Sequence, residues 1–172
     1  MGILSADAVL NMPDFRAAER CFSLITQTAG RAGRGESPGR VVVQCYNPEH
    51  YAVRHALAQD YQGFYAAEIE FRRALFFPPF CRLIKLTFLH EKEASARDNA
   101  AQAKEMFTAA FPEGVGCQIL GPAPALVAKF KGVYRFTLLL KTDDLTAVQH
   151  VLRQAQMERR TDVLIDIDPI LL

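Results

Sequence analysis

The hydrophobic pattern of the second half of the chain predicts a complete small domain. Ile84, Leu86 and Phe88 alternate with less apolar positions, which is typical of a strand with one buried face. Residues 91–111 then carry an apolar stripe at helical spacing, and further strands, a tight turn at Lys131–Gly132, a second helix and a last strand follow. The order β-α-β-β-α-β predicts an α+β domain of the ferredoxin-like kind, with an antiparallel sheet and two helices on one face.

The hydrophobic pattern of the first half of the chain predicts helices that alternate with short strands. Apolar residues recur at helical spacing from Phe15 to Ala29, so we expect a helix that Asp14 caps and that ends at Gly30 or just beyond. A buried strand over Arg40–Tyr46 and a helix from residue 49 to about 75, interrupted at Gly63, come next. The prolines of "FFPPF", residues 76–80, cannot continue a helix, so we predict two domains, 1–78 and 79–172.

Composition excludes several classes of protein. The chain has 172 residues, of which 50% are hydrophobic, so it can build a real core. It has no apolar run long enough for a membrane span and no signal-peptide pattern, and its four cysteines form no C-x-x-C pair. We therefore expect a cytoplasmic protein with reduced cysteines and no metal site. A net charge of +1 does not indicate a strongly basic nucleic-acid binder.

The stretch "TQTAGRAGRG", residues 26–35, has the composition of a phosphate-binding element. Arg31 and Arg34 lie on one face if the stretch is helical, and the glycines at 30 and 33 allow a ligand to approach the backbone. Guanidinium groups are suited to phosphate, but the chain has no Walker A sequence. The arginines would therefore complete a nucleotide site held elsewhere, as an arginine finger does. The alternative is a helix end capped by Gly30, with both arginines at the negative end of the dipole.

"QTAGRAGR" resembles the sixth motif, Q-x-x-G-R-x-G-R, of superfamily-two helicases. The flanking stretches "PDFRAAER" and "PGRVVVQ…NPEH", together with "LGPAPA", "YRFTLLLK" and "DIDP", are similar to one family in particular, the PriA family of primosomal replication-restart helicases. This resemblance covers essentially the whole chain. It implies the C-terminal part of a RecA-like second helicase lobe, with motifs V and VI, followed by the family's C-terminal domain.

The resemblance also implies an activity and partners. The intact family protein is an ATP-dependent 3′→5′ DNA helicase that recognises stalled forks and restarts replication by primosome assembly. It uses ATP and Mg, and it binds zinc through ligands that this chain lacks. Its partners are branched and single-stranded DNA, single-strand-binding protein and other primosome proteins. Without a Walker A sequence, we expect the chain alone to be inactive as an ATPase.

Individual residues receive roles from the resemblance. Arg31 and Arg34 match the arginines that face the nucleotide phosphates, with Arg34 the candidate finger toward the γ-phosphate. Gln27 matches the glutamine that couples the nucleotide to the lobe interface, and Gly30 and Gly33 match the spacing of the motif. Asp7 matches the preceding motif, which links the nucleotide site to the DNA track. The alternative for Asp7 is a carboxylate that caps a neighbouring backbone segment.

The candidate DNA surface is the predicted hairpin, where Lys129, Lys131 and Arg135 alternate with Phe130 and Tyr134. Alternation predicts the basic side chains on one face and the aromatic rings on the other. The alternative is a solvated strand face with both rings in the core. Two other functions stay open: a stand-alone nucleic-acid-binding module without an ATPase role, and a scaffold for subunit docking. Residues 27–34 disfavour the first, which has no use for that motif, and the second predicts no affinity for nucleic acid at low salt.

Overall fold

The computed structural model of the chain describes residues 1–32, 40–112 and 116–170. These residues form two compact units, of which the first comprises Met1–Leu75 and the second begins at Phe76. Each unit has a hydrophobic core of its own.

The first unit is mostly helical. Its strands β1 (Gly2–Ile3) and β2 (Val42–Val43) pair in parallel. Its helices are α1 (Asp7–Leu10), α2 (Ala17–Ala32), α3 (Tyr51–Leu57) and α4 (Tyr61–Ala74). The core lies where α2 meets the helices that follow it, and its buried residues include Cys21, Phe22, Ile25, Val53 and Phe64. The strand predicted over 40–46 is shorter than expected, because the two-residue β1 gives it little to pair with. It is also not buried, since Val42 is 58% exposed.

The helix predicted from residue 49 to 75 is divided before Gly63 and not at it. The break falls at 58–60, where Gln59 adopts a φ of +54°. Asp60 then caps α4 by accepting the backbone N–H of Gly63 at 2.8 Å. A Cβ at Gly63 would lie 2.1 Å from Asp60 Oδ2, so the glycine makes room for the cap inside the first turn of the helix.

The second unit has the predicted order of elements. These are β3 (Arg82–His90), α5 (Glu93–Ala110), β4 (Cys117–Phe130), β5 (Val133–Thr142), α6 (Leu145–Gln154) and β6 (Val163–Ile167), with a short 3₁₀ helix at Met157–Arg159. The strands lie in the order β4-β5-β3-β6, and every neighbouring pair is antiparallel. The predicted antiparallel sheet is therefore confirmed. Its core joins β3 and β5 to both helices, through residues that include Phe88, Phe107, Leu138, Val148 and Leu152.

Strand β4 is one long strand that runs through the glycine- and proline-rich stretch Gly121–Ala125 and contains two irregularities. The register against β5 shifts first between Leu120 and Ala123. Gly121 has a φ of +104°, and a Cβ there would lie 2.7 Å from the Thr137 carbonyl oxygen, so this irregularity requires glycine. The prolines that follow donate no N–H, which an edge strand such as β4 tolerates.

A second shift in β4 lies close to the hairpin turn. Pro124 pairs with Phe136 and Lys129 with Tyr134, so residues 125–128 lie opposite Arg135 alone. We call residues 125–128 the β4 bulge. Leu126 and Val127 at its centre are exposed.

Candidate nucleic-acid interface

Gln27 and Arg31 lie one turn apart on α2, and both are exposed. Gly30 is inside this helix and not at its end, so the alternative in which Gly30 caps the helix is wrong. A Cβ at Gly30 would meet no atom of the described residues within 4 Å, which leaves this face of the helix open. Arg34 and Gly33 lie outside the described residues, and their roles stay predictions.

Asp14, the predicted cap of this helix, also holds two arginines near this face, a second role that was not predicted. The Asp14 side chain is 2% exposed and accepts the backbone N–H of Arg16 at 2.8 Å and Nη2 of Arg20 at 3.1 Å. Both arginines and Gln27 line a groove of about 420 Å³ along α2. This polar face could have been found in the sequence, because residues 16, 20, 27 and 31 recur at helical spacing and are all polar.

Asp7 begins α1 and is buried. Its two carboxylate oxygens accept the backbone N–H of Tyr46, at 2.9 and 3.1 Å. This is the backbone contact that the alternative reading of Asp7 expected. The role of Asp7 toward a nucleotide stays a prediction.

The hairpin between β4 and β5 turns on two residues, Lys131 and Gly132, which have φ angles of +48° and +85°. Positive φ at both positions defines the type I′ turn, whose twist matches that of the strands. Lys129 lies directly opposite Tyr134, with Nζ 3.0 Å from the hydroxyl oxygen and 4.3 Å from the ring centroid. The predicted separation of basic and aromatic side chains is therefore wrong, because residues opposite each other in an antiparallel pair share a face.

Two cations lie close to the ring of Phe130 at the end of the hairpin. The Arg135 guanidinium carbon lies 5.0 Å from the centre of its ring, and Lys131 Nζ lies 5.4 Å from it. Phe130 is 49% exposed, whereas Tyr134 packs against the core, so the alternative with both rings in the core is wrong for Phe130. Arg135 Nε is buried and has no hydrogen-bond partner among the described residues.

The charges of the second unit distinguish this hairpin from its surroundings. Four arginines elsewhere in the unit form ion pairs: Arg82 with Asp168, Arg97 with Asp98, Arg153 with Glu158 and Arg160 with Asp162. Within the described ranges, no carboxylate lies at ion-pair distance from Lys129, Lys131 or Arg135. The hairpin end therefore presents positive charge beside aromatic rings, without local neutralisation. We call these three cations with Phe130 and Tyr134 the hairpin patch.

The described part of the chain has neither a cluster of metal-ligating side chains nor a membrane-spanning helix. No group of three or more His, Cys, Asp and Glu side chains there is placed to hold a metal ion. No helix in the same ranges is long and apolar enough to cross a membrane. All four cysteines are free, and burial raises the pKa of Cys21, Cys81 and Cys117 to about 11.

A small antiparallel sheet backed by two helices, with cations and rings at a hairpin end, belongs to a class of fold that commonly contacts nucleic acid. Residues 73–170 match the family described as the primosomal protein N C-terminal domain. The chain is also 43% identical, over 99% of its length, to the replication restart protein PriA of Treponema pallidum. The chain belongs to this family.

Other relatives give the same result. Replication restart protein PriA of Bacillus subtilis is 38% identical over 90% of the chain, and that of Synechocystis is 36% identical over 98%. The chain spans only 26%, 19% and 20% of the lengths of the Treponema, Bacillus and Synechocystis proteins.

Proposed function

We propose that the chain acts in replication restart, as the C-terminal part of an ATP-dependent 3′→5′ DNA helicase that recognises stalled forks and helps assemble a primosome. Its similarity to proteins named for replication restart supports this, over nearly the whole chain. In this proposal the first unit is the end of a RecA-like second lobe, and the second unit contacts branched or single-stranded DNA, single-strand-binding protein and other primosome proteins.

The hairpin patch is the observation that carries the DNA-binding part of the proposal. Lys129, Lys131 and Arg135 are placed beside aromatic rings and have no carboxylate partner among the described residues. Cations of this kind bind phosphate by releasing its counterions, so the affinity depends on salt. With a net charge of +1, the chain would make a local contact and not surround the DNA.

The nucleotide part of the proposal rests on α2. Arg31 and Arg34 would face the phosphates of ATP·Mg held by a first lobe, with Arg34 as the finger toward the γ-phosphate. Gln27 shares the exposed face of α2 with Arg31 and would couple the nucleotide to the lobe interface. Asp7 would link that site to the DNA track. Zinc would be held by a part of the helicase outside this chain, and the chain alone would not hydrolyse ATP.

The DNA-binding part is tested with this chain and labelled fork, single-stranded and duplex DNA at low and moderate salt. Changing Lys129, Lys131 and Arg135 together to alanine should lower the affinity strongly. A control with the same change in net charge replaces Lys92, Arg97 and Lys104 on or beside α5, and it should keep most of the affinity. Equal losses in both variants would contradict the assignment to the hairpin. Absence of binding at any salt would favour the docking scaffold.

The nucleotide part is tested in the longer helicase that the proposal implies. Arg34→Ala should lower kcat for ATP hydrolysis by about 10³-fold, the scale of a lost arginine finger, while ATP still binds. Arg40→Ala, at an exposed arginine nearby, is the control and should have little effect. An unchanged kcat in Arg34→Ala would contradict the role. It would favour the stand-alone nucleic-acid-binding module if the hairpin still bound DNA.

A further inference from the structure

We propose that Phe130 is a stacking platform for an unpaired base, so that the hairpin patch selects single-stranded over duplex nucleic acid. This inference rests on the proposed DNA contact of the second unit and specifies its substrate. Phe130 is the last residue of β4 before the turn, and its exposure of 49% leaves ring surface accessible to a ligand.

The ring of Phe130 would hold the base of a DNA strand, and the cations around it would hold the phosphates of the same strand. Phe130 pairs with Val133, and Arg135 lies two residues further along β5, so Phe130 and Arg135 share a face. Arg135 and Lys131 both lie within about 5.5 Å of the ring centre. A base stacked on this ring would bring its own phosphates close to both cations. Bases inside a duplex already have both faces covered, so only an unpaired base can use the ring.

The edge of β4 argues against a protein strand as the occupant of this surface. A strand added to a sheet edge needs a continuous row of free N–H and C=O groups. Pro122 and Pro124 remove two donors from β4, and the β4 bulge interrupts the register of the remaining residues. The exposed ring beside unneutralised cations fits a nucleic-acid strand instead.

Phe130→Trp tests this contact directly, because the chain contains no tryptophan. The new indole would be the only one in the protein, and a base stacked on it should quench its fluorescence. A thymidine oligonucleotide should quench it, and a blunt duplex of the same length should not. Leu164→Trp is the matched control, since Leu164 is exposed on β6 at the other edge of the sheet. Its fluorescence should not respond to either DNA.

The affinity of the Phe130 variants for single-stranded and duplex DNA is a second test of stacking. Phe130→Ala should weaken binding to the thymidine oligonucleotide by about 5- to 150-fold, since stacking on an aromatic ring contributes about 1–3 kcal/mol per base. Duplex binding should change by less than about 2-fold, and Phe130→Trp should retain the wild-type preference.

The two proposals fail in different ways. If the triple cation variant loses binding while Phe130→Ala keeps its single-strand preference, the stacking inference is wrong and the DNA contact stands. Equal quenching of Phe130→Trp by both DNAs would overturn the inference as well. If the triple cation variant binds DNA like the wild type, the proposed DNA contact itself is wrong.

Discussion

Lys129 lies directly opposite Tyr134 across the end of the β4–β5 hairpin, and its Nζ is 3.0 Å from the tyrosine hydroxyl oxygen. The ammonium also lies 4.3 Å from the centre of the Tyr134 ring. A tyrosine positions a lysine without cancelling its charge, which a carboxylate would do. The pairing therefore holds a cation at the end of the hairpin in a form that can still bind phosphate.

The salt dependence of DNA binding should report how many of these cations contact phosphate. Each alanine substitution at Lys129, Lys131 or Arg135 should reduce the slope of log affinity against log salt by about 0.7 for single-stranded DNA. Titrations at several salt concentrations measure it. Tyr134→Phe removes no charge and should leave the slope unchanged. A wild-type slope in the triple variant would show that the hairpin makes no phosphate contact.

Glu68 should be important for the stability of the first unit. It is buried, and it accepts hydrogen bonds from the Tyr51 hydroxyl at 2.6 Å and from Arg72 Nε at 2.7 Å. Burial and this hydrogen bond raise the pKa of Tyr51 above its usual range. Glu68→Gln should lower the free energy of unfolding by about 1–3 kcal/mol, because it leaves the Arg72 charge less well compensated.

Urea unfolding followed by circular dichroism measures this loss. Glu70→Gln is the control, because Glu70 pairs with Arg73 on the exposed side of the same helix. Its effect should stay below about 0.5 kcal/mol. Similar losses in the two variants would contradict the importance of the buried network.

Two glycine substitutions should have different effects on stability. Gly30→Ala meets open space in α2 and should stabilise the helix by about 0.5–1 kcal/mol. Gly63→Ala places its Cβ 2.1 Å from Asp60 Oδ2 and 2.5 Å from the His55 ring, so it must displace the cap of α4. We expect Gly63→Ala to be less stable than Gly30→Ala by about 1 kcal/mol or more in thermal and urea unfolding. Equal stability of the two variants would disprove the cap.

His50 should make the first unit sensitive to mild acid. It caps α3 through Nδ1, which accepts the Ala52 N–H at 3.2 Å, and burial lowers its pKa below 6.5 despite the opposing effect of Glu68. The unfolded chain then binds this proton more readily than the folded chain does. The stabilisation is present above pH 6.5 and is lost as the pH falls through the lowered pKa.

The measurement is the free energy of unfolding as a function of pH. His50→Asn keeps a capping side chain that does not titrate, and it should remove the fall in stability below pH 6.5. A fall of the same size in His50→Asn would assign the pH dependence to another group.

Three of the four thiols should react slowly in the folded chain. With a pKa of about 11, Cys21, Cys81 and Cys117 are almost entirely protonated at neutral pH, and the thiolate is the reactive form. Alkylation followed by mass spectrometry should label these three slowly in the native chain and rapidly after denaturation. Fast native labelling of any of them would contradict its raised pKa.

The periodicity of the sequence was sufficient to predict a strand or helix that has a single buried face. The alternation over Ile84, Leu86 and Phe88 and the apolar stripe of α5 depend on a local repeat, and both predictions are confirmed. The extent of β2 and the break before Gly63 were not predictable in this way. The first depends on the length of a distant partner strand, and the second on a φ of +54° at Gln59.

The candidate site shows the same limit. The sequence predicted one helical face for Arg31 and Arg34; Arg31 lies on α2, but Arg34 lies outside the described residues, so that pairing stays a prediction. The pairing of Lys129 with Tyr134 follows from the two-residue turn at Lys131–Gly132, which places residues 129 and 134 directly opposite each other. Alternation along each strand taken alone does not say which residues of the two strands share a face, so the predicted separation of cations and rings was wrong.

We propose the hairpin patch as the place where this chain contacts DNA. The most direct test is a nuclear magnetic resonance titration of the isotope-labelled chain with a thymidine oligonucleotide, in which the backbone amide signals are followed residue by residue. We expect the largest shifts at residues 129–135, and their loss in the triple cation variant. Shifts confined to another surface, such as that around Arg153 and Arg159, with residues 129–135 unaffected, would contradict it.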